Sequence, residues 1–109
     1  WKLLQSQPFD LFVSDLDLPG IGGCDLTEKI RNSENGSLRH LPIILMSSSN
    51  AAGKAYASGV NDFLSKPVAK NHLLKKVSTV LENAFYKRMI RNYQGITGNK
   101  DKIKQFDYD

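Results

Sequence analysis

F-D-L-F-V-S-D-L-D-L-P-G-I-G-G, residues 9–23, decides the reading of this chain. The apolar run Leu11-Phe12-Val13 ends abruptly in Ser14 and Asp15. A short continuous apolar run bounded by turn signals is the mark of a strand buried in a parallel sheet. Asp17, Pro19 and the glycines 20, 22 and 23 follow, so the chain must turn sharply. An acid at the carboxyl end of such a strand stands where open α/β sheets place their ligands. Asp15 is therefore a candidate nucleophile or metal ligand.

Two later segments end the same way. Leu41–Met46 is apolar and runs into Ser47-Ser48-Ser49, and Gly59–Ser65 runs into Lys66-Pro67. If all three strands are parallel, Asp15, Ser47 and Lys66 meet on one edge although they are distant in sequence. A carboxylate, a hydroxyl and an ammonium suit phosphoryl chemistry: the acid accepts the group and the other two bind its oxygens.

Between these tips the pattern alternates. Trp1–Gln7 reads as a helix end closed by Pro8. Asp10–Ser14, Pro42–Met46 and Val60–Leu64 read as strands. Cys24–Asn32 reads as an amphipathic helix with Leu26 and Ile30 inside and Glu28, Lys29 and Arg31 outside. The stretch 32–37 reads as a polar loop. Asn50–Ser58 is a short helix closed by Gly59. A long helix begins at Ala69 or Lys70, carries Leu73, Leu74, Val77, Val80, Leu81, Ala84 and Phe85, and is expected to stop at Gly95. Alternating strands and helices give an α/β class with right-handed crossovers. The expected organisation is one unit over 1–90 and a polar tail or linker over 91–109.

The chain resembles the receiver domains of two-component response regulators over roughly Phe9 to Leu81. Three parts carry the resemblance. They are the Asp15 strand with Leu18-Pro19-Gly20 and Gly23 after it, the Pro42–Ser48 strand ending in a hydroxyl, and Asp62-Phe63-Leu64-Ser65-Lys66-Pro67-Val68. Their order and spacing together are specific. The resemblance implies an α/β, flavodoxin-like parallel sheet with strand order 2-1-3-4-5. This chain would hold three of those strands, with flanking helices, and lack the first strand, first helix and second strand.

It also implies roles. Asp15 would be the phosphoacceptor, Ser47 the switch hydroxyl, Lys66 the phosphate-binding lysine, ahead of a cis Lys66–Pro67 bond, and Phe63 the aromatic switch. Asp17 and Ser49 would tune phosphate lifetime, and the Asp17 backbone carbonyl would join Asp15 at Mg²⁺. The family's acidic Mg²⁺ pair is absent here, since Asp10 is the only acid upstream of Asp15. The cation is therefore expected in a complete parent protein and expected to be weak or absent in this chain. The implied partner is a sensor histidine kinase or a histidine phosphotransfer protein, in the cytoplasm. Two other readings stand beside this one. A binding-only pseudo-receiver would keep the fold without phosphorylation. A haloacid dehalogenase-like phosphatase would use Asp15 as nucleophile and Asp17 as acid, but Leu18-Pro19 replaces that family's Gly-Thr pair, and the first acid after Lys66 is Glu82.

Composition bounds the rest. With 109 residues, 40% hydrophobic and 24% charged, the chain suits one small globular domain rather than a disordered segment. No apolar stretch approaches the roughly 20 residues of a membrane span. Cys24, the only cysteine, excludes an internal disulfide and reads as a small packing residue. Residues 70–109 hold nine Lys/Arg against four Asp/Glu, net +5, while residues 1–69 hold six against seven, net −1. The basic half reads as a solvated face and linker, with nucleic acid reached only through an output domain outside this sequence. An apolar first strand with one open edge invites pairing with other chains. That leaves a homodimer open and makes the isolated chain prone to aggregation.

Overall fold

The computed structural model describes residues 1–17 and 21–97. Eight elements follow one another: α1 Lys2–Ser6, β1 Phe12–Asp15, α2 Gly23–Arg31, α3 Gly36–Arg39, β2 Ile43–Ser47, α4 Ala52–Ser58, β3 Asp62–Ser65 and α5 Lys70–Thr97. The three strands are parallel in the order β1-β2-β3. Phe12 pairs with Ile43 and Asp15 with Met46; Ile44 pairs with Asp62 and Ser47 with Ser65. The expected adjacency of the three strands is therefore found, and the outer edge of β1 has no partner strand among the described residues.

The centre of the sheet explains the apolar runs. Ile43, Ile44 and Leu45 are all fully buried. Successive strand residues point to opposite faces. Ile43 and Leu45 join Leu26, Ile30, Leu38 and Ala55 beneath α2, α3 and α4. Ile44 faces the other way, onto Leu64 and Val80 under α5. Burying one such side chain is worth about 1.5–3 kcal/mol. Both faces of β2 are covered, so β2 reads as apolar without alternation.

Several boundaries differ from the expectation. The three strands were placed at 10–14, 42–46 and 60–64, and the ladder shifts each toward its carboxyl end. Phe12 N–H donates to Pro42 O and Asn61 N–H to Ile43 O, so Asp10, Leu11, Pro42, Val60 and Asn61 lead into the sheet instead of pairing within it. The shift brings Asp15 and Ser47 inside their strands. The 32–37 segment is not wholly a loop: Asn35 accepts from the N–H groups of Ser37 and Leu38 and caps α3, burying Leu38. Gly95 does not stop α5, which runs unbroken through residue 90 to Thr97. One glycine inside a helix costs only about 1 kcal/mol against alanine. The rest of the expected tail, 98–109, lies outside the described residues, as does Leu18-Pro19-Gly20.

Two glycines are required by geometry. Gly59 caps α4 with φ 110°, a left-handed conformation that side chains resist. Gly23 opens α2 so close to β1 that a Cβ would stand 2.9 Å from both Asp15 O and Leu16 Cα. Its N–H donates to Leu16 O at 2.7 Å, closing the loop after Asp15. At the amino terminus, Lys29 Nζ lies 4.8 Å from the Trp1 ring centre, a cation–π contact that ties α1 to α2. Cys24 is buried, as its reading as a packing residue requires. Among the described residues no helix is long and apolar enough to cross a membrane.

Candidate functional site

The site is built by strand register. Asp15 is the last residue of β1, and the backbone continues the ladder one step further, with Leu16 N–H donating to Met46 O at 2.8 Å. Lys66 follows β3 directly, and its N–H donates to Ser47 O at 2.9 Å. The three strand tips are therefore fixed to one another by backbone hydrogen bonds, and the carboxyl edge of the sheet carries all three side chains.

Asp15 and Lys66 meet. Lys66 Nζ donates to Asp15 Oδ2 in a direct ion pair. Both side chains are about two-fifths exposed, at 37% and 38% respectively, so the pair is open to an incoming group. The Lys66 hydrogen bond holds the Asp15 carboxyl below its ordinary value of 3.8. Partial burial opposes it, and the Lys66 charge and the Asp17 and Leu16 N–H groups add to the lowering. Asp15 is thus an anion at neutral pH, as a nucleophile must be. The Lys66–Pro67 peptide is cis, as the resemblance implied.

Ser47 is at the same edge but is turned aside. It is fully buried. Its Oγ lies 2.8 Å from Ser49 Oγ and accepts from the Ser49 N–H at 3.1 Å. The serine pair bonds to itself rather than to Asp15. Phe63 is half-buried and packs against the cluster that contains Leu45, its partner in the ladder. Asp17 is exposed, and only its backbone N–H is turned toward Asp15. His40 and His72 are exposed, as surface residues should be.

Mg²⁺ requires near-octahedral oxygen coordination, usually with more than one carboxylate. Asp15 offers one carboxylate, already engaged by Lys66. No group of three or more His, Cys, Asp or Glu side chains that could hold a metal occurs among the described residues. The donor set at this edge does not fit a magnesium ion.

Two polar networks escaped sequence reasoning. Arg31, expected on the outside of α2, is half-buried and donates to Gly59 O, Arg39 O, Leu41 O and Asn61 Oδ1. Its position at the end of a helix gave no sign that four acceptors would converge on it. On the α4–β3–α5 surface, Asp62 accepts from Tyr56 Oη at 3.0 Å and pairs with Lys76 at 3.2 Å. Burial pushes the Asp62 carboxyl up. The Phe63 N–H, Tyr56 and Lys76 outweigh that, and its pKa is lowered overall.

Residues 1–78 match the family model of the response regulator receiver domain. The chain is 39% identical over 101 residues to the 3',5'-cyclic-nucleotide phosphodiesterase regA of Dictyostelium discoideum. That alignment takes in 86% of this chain but spans only 12% of the relative's length. Among solved structures, a two-component response regulator from Clostridium difficile is 30% identical, with a TM-score of 0.65 over 74% of this chain and 65% of that one. The receiver domain of a sensor histidine kinase from Pseudomonas aeruginosa PAO1, described with a magnesium ion coordinated in its active site cleft, is 25% identical. Its TM-score is 0.66 over 74% of this chain and 67% of that one. The match runs through all three strand tips and leaves the haloacid dehalogenase-like reading without support. With three parallel strands, flanking helices and an aspartate–lysine pair at the carboxyl edge, the chain belongs to the response regulator receiver domain family.

Proposed function

We propose that Asp15 accepts a phosphoryl group from a phosphohistidine on a sensor histidine kinase or a histidine phosphotransfer protein. The Asp15–Lys66 ion pair is the observation that carries this reading. A carboxylate oxygen of Asp15 attacks phosphorus. The new O–P bond forms as the P–N bond breaks, and the electron pair stays on the imidazole nitrogen, which takes a proton. Lys66 neutralises charge on the transferring oxygens. Ser47 then leaves Ser49 and donates to a phosphoryl oxygen, and Phe63 moves inward. Asp17 and Ser49, flanking the site, set how readily water reaches the acyl phosphate. The role is signalling rather than turnover, in the cytoplasm, by a receiver unit over 1–90 whose last helix continues to Thr97.

A second reading has its own support. The poor donor set for Mg²⁺ leaves repulsion between Asp15 and an incoming phosphoryl group largely uncompensated, and this favours a binding-only pseudo-receiver. In the first reading the cation needs carboxylates beyond those of residues 1–109. One experiment, run on a protein that supplies those carboxylates, separates the two: incubation with phosphoramidate and Mg²⁺, followed by intact-mass measurement and an acid-lability test. Labelling that disappears in Asp15→Asn supports phosphotransfer. Labelling that survives in Asp15→Asn refutes the assignment, and an unlabelled wild-type chain that still binds its kinase selects the pseudo-receiver.

A further inference from the structure

The edge of the sheet opposite Asp15 carries a different chemistry. The strands are parallel, so the segments that lead into β2 and β3 lie together at the amino-terminal edge. α5 starts at the Asp15 edge and runs back to meet them. Between them lies a cleft of about 450 Å³, within the range of about 300–1,000 Å³ typical of small-molecule sites. Arg31 enters it from the end of α2, Arg39 and His40 from the approach to β2, and Lys87 and Arg91 from one face of α5.

No Asp or Glu lines this cleft. The ion pairs of the described residues, Lys66–Asp15 and Lys76–Asp62, involve none of its cations. Four permanent positive charges therefore face one concavity whose lining holds no carboxylate; Asp10 lies in the adjoining cleft, beside His40 and Arg91. The Arg31 charge cannot swing out to solvent, because its guanidinium is fixed by the Gly59, Arg39 and Leu41 carbonyls and by Asn61. Arg39, Lys87 and Arg91 are exposed; Arg39 is held by one long hydrogen bond from Nη1 to Ser33 O at 3.4 Å, at the limit of such bonds, and all three long side chains can turn inward. The imidazole of His40 registers the field. Its pKa is lowered first by burial and then by Arg91, Arg39 and Arg31.

A merely solvated basic face spreads its charges along one helix. Here they converge from separate elements on a cavity, and the arrangement gains energy only when an anion enters. We propose that this cleft binds a small polyanion carrying at least two linked phosphate groups, of the inorganic or nucleoside diphosphate class. Guanidinium groups match phosphate oxygens in a bidentate fashion, and an ammonium adds a point charge. Arg39, Lys87 and Arg91 would grip the two phosphates, while Arg31 supplies a fixed charge at the base. A single phosphate would leave part of this charge unanswered.

The test is calorimetric titration of the 109-residue chain at physiological ionic strength with pyrophosphate, ADP and, as a control, sulfate. Pyrophosphate is expected to bind at least about tenfold tighter than sulfate. Replacing Lys87 and Arg91 together by Gln should weaken it by about tenfold or more, the scale of one lost charge-assisted hydrogen bond. Both positions are exposed, and circular dichroism checks that the variant folds. The His40 ring resonances should shift during the titration in the wild type and not in the variant. ADP binding more tightly than pyrophosphate assigns a nucleotide; equal affinity assigns the diphosphate alone. The proposal is overturned if pyrophosphate binds no better than sulfate or if the double variant binds unchanged. It is equally overturned if a single-stranded oligonucleotide binds more tightly and displaces pyrophosphate, which would make the face a polymer track.

Discussion

Replacing Arg31 should cost more stability than any other single change at a polar side chain of this fold. Its Nε donates to Gly59 O at 2.8 Å, Nη1 to Arg39 O at 2.9 Å and Leu41 O at 2.6 Å, and Nη2 to Asn61 Oδ1 at 2.8 Å. Asn61 Oδ1 also accepts the Ile43 N–H, so the network reaches the first residue of β2. One side chain thus ties the end of α2 to the approaches of two strands. Hydrogen bonds to charged groups contribute about 1.5–3 kcal/mol each, and exposed ones much less. The bonds to Gly59 and Leu41 are partly buried and the other two exposed. Counting the first two at the lower end of that range, because they are only partly buried, and discounting the rest, Arg31→Met should lose about 3 kcal/mol, out of a typical domain stability of about 5–15 kcal/mol. Arg31→Lys keeps the charge but not the planar fork and should recover only part of the loss. Urea denaturation followed by circular dichroism reads the effect as a lower midpoint at unchanged slope. Because Arg31 and Asn61 share a bond, Arg31→Met and Asn61→Ala should combine less than additively. A loss under about 0.5 kcal/mol, the scatter of ordinary surface changes, would refute the reasoning.

Gly23→Ala should lower stability by about 1–3 kcal/mol, since the new methyl meets backbone rather than a movable side chain; the same melts read it, and no change would mean that α2 opens freely. His40 titrates below its ordinary value of 6.5 in the fold. The unfolded chain therefore binds the proton first, and the stability His40 contributes is present above pH 6.5 and lost as pH falls toward the folded value. Melting temperatures across that window should fall in the wild type and flatten in His40→Gln; parallel curves would show that the histidine is not coupled to folding. Ser47→Ala should leave phosphoramidate labelling of Asp15 largely intact and weaken the label-dependent change in partner affinity; equal loss of both would give Ser47 a structural role.

The fold was legible where burial alone decides the residue type. β2 is covered on both faces, and Ile43, Ile44 and Leu45 announce it as an unbroken apolar run. The tips were legible because polar residues end those runs at matching places, and register then brings Asp15 and Lys66 into contact. Other features depended on partners that no local pattern names. Arg31 looks like any solvent-facing helix residue until Gly59, Arg39, Leu41 and Asn61 arrive from elsewhere. α3 rests on one Asn35 cap and one buried Leu38, too little periodicity to register as a helix. Gly95 misled because a glycine's local cost is small beside the cooperativity of a 28-residue helix.

The serine pair sets the energy scale of the proposed switch. In the unmodified state Ser47 Oγ bonds Ser49 Oγ and the Ser49 N–H. These are neutral hydrogen bonds, each worth about 0.5–1.5 kcal/mol net. A phosphoryl group on Asp15 would offer Ser47 an ionised acceptor instead, worth about 1.5–3 kcal/mol. The exchange gives up at most the two neutral bonds, and water or a phosphoryl oxygen can replace those left behind at Ser49. Its net bias is then about 1–2 kcal/mol, or a factor of roughly 5–30 in population. That is enough to turn a minor conformer into the major one but not to lock it. Lys66 would shift the balance in the same direction. It is paired with Asp15 before the reaction, so it is already in place when the added negative charge appears. Ser47 is buried and Phe63 only half so. The rearrangement would therefore begin with a hydroxyl turning inside the sheet edge and emerge at the surface through the aromatic ring on β3, beside α4. In the proposed mechanism the response would scale with how long the acyl phosphate lasts, and Asp17 and Ser49, rather than Ser47, would then control the signal's duration.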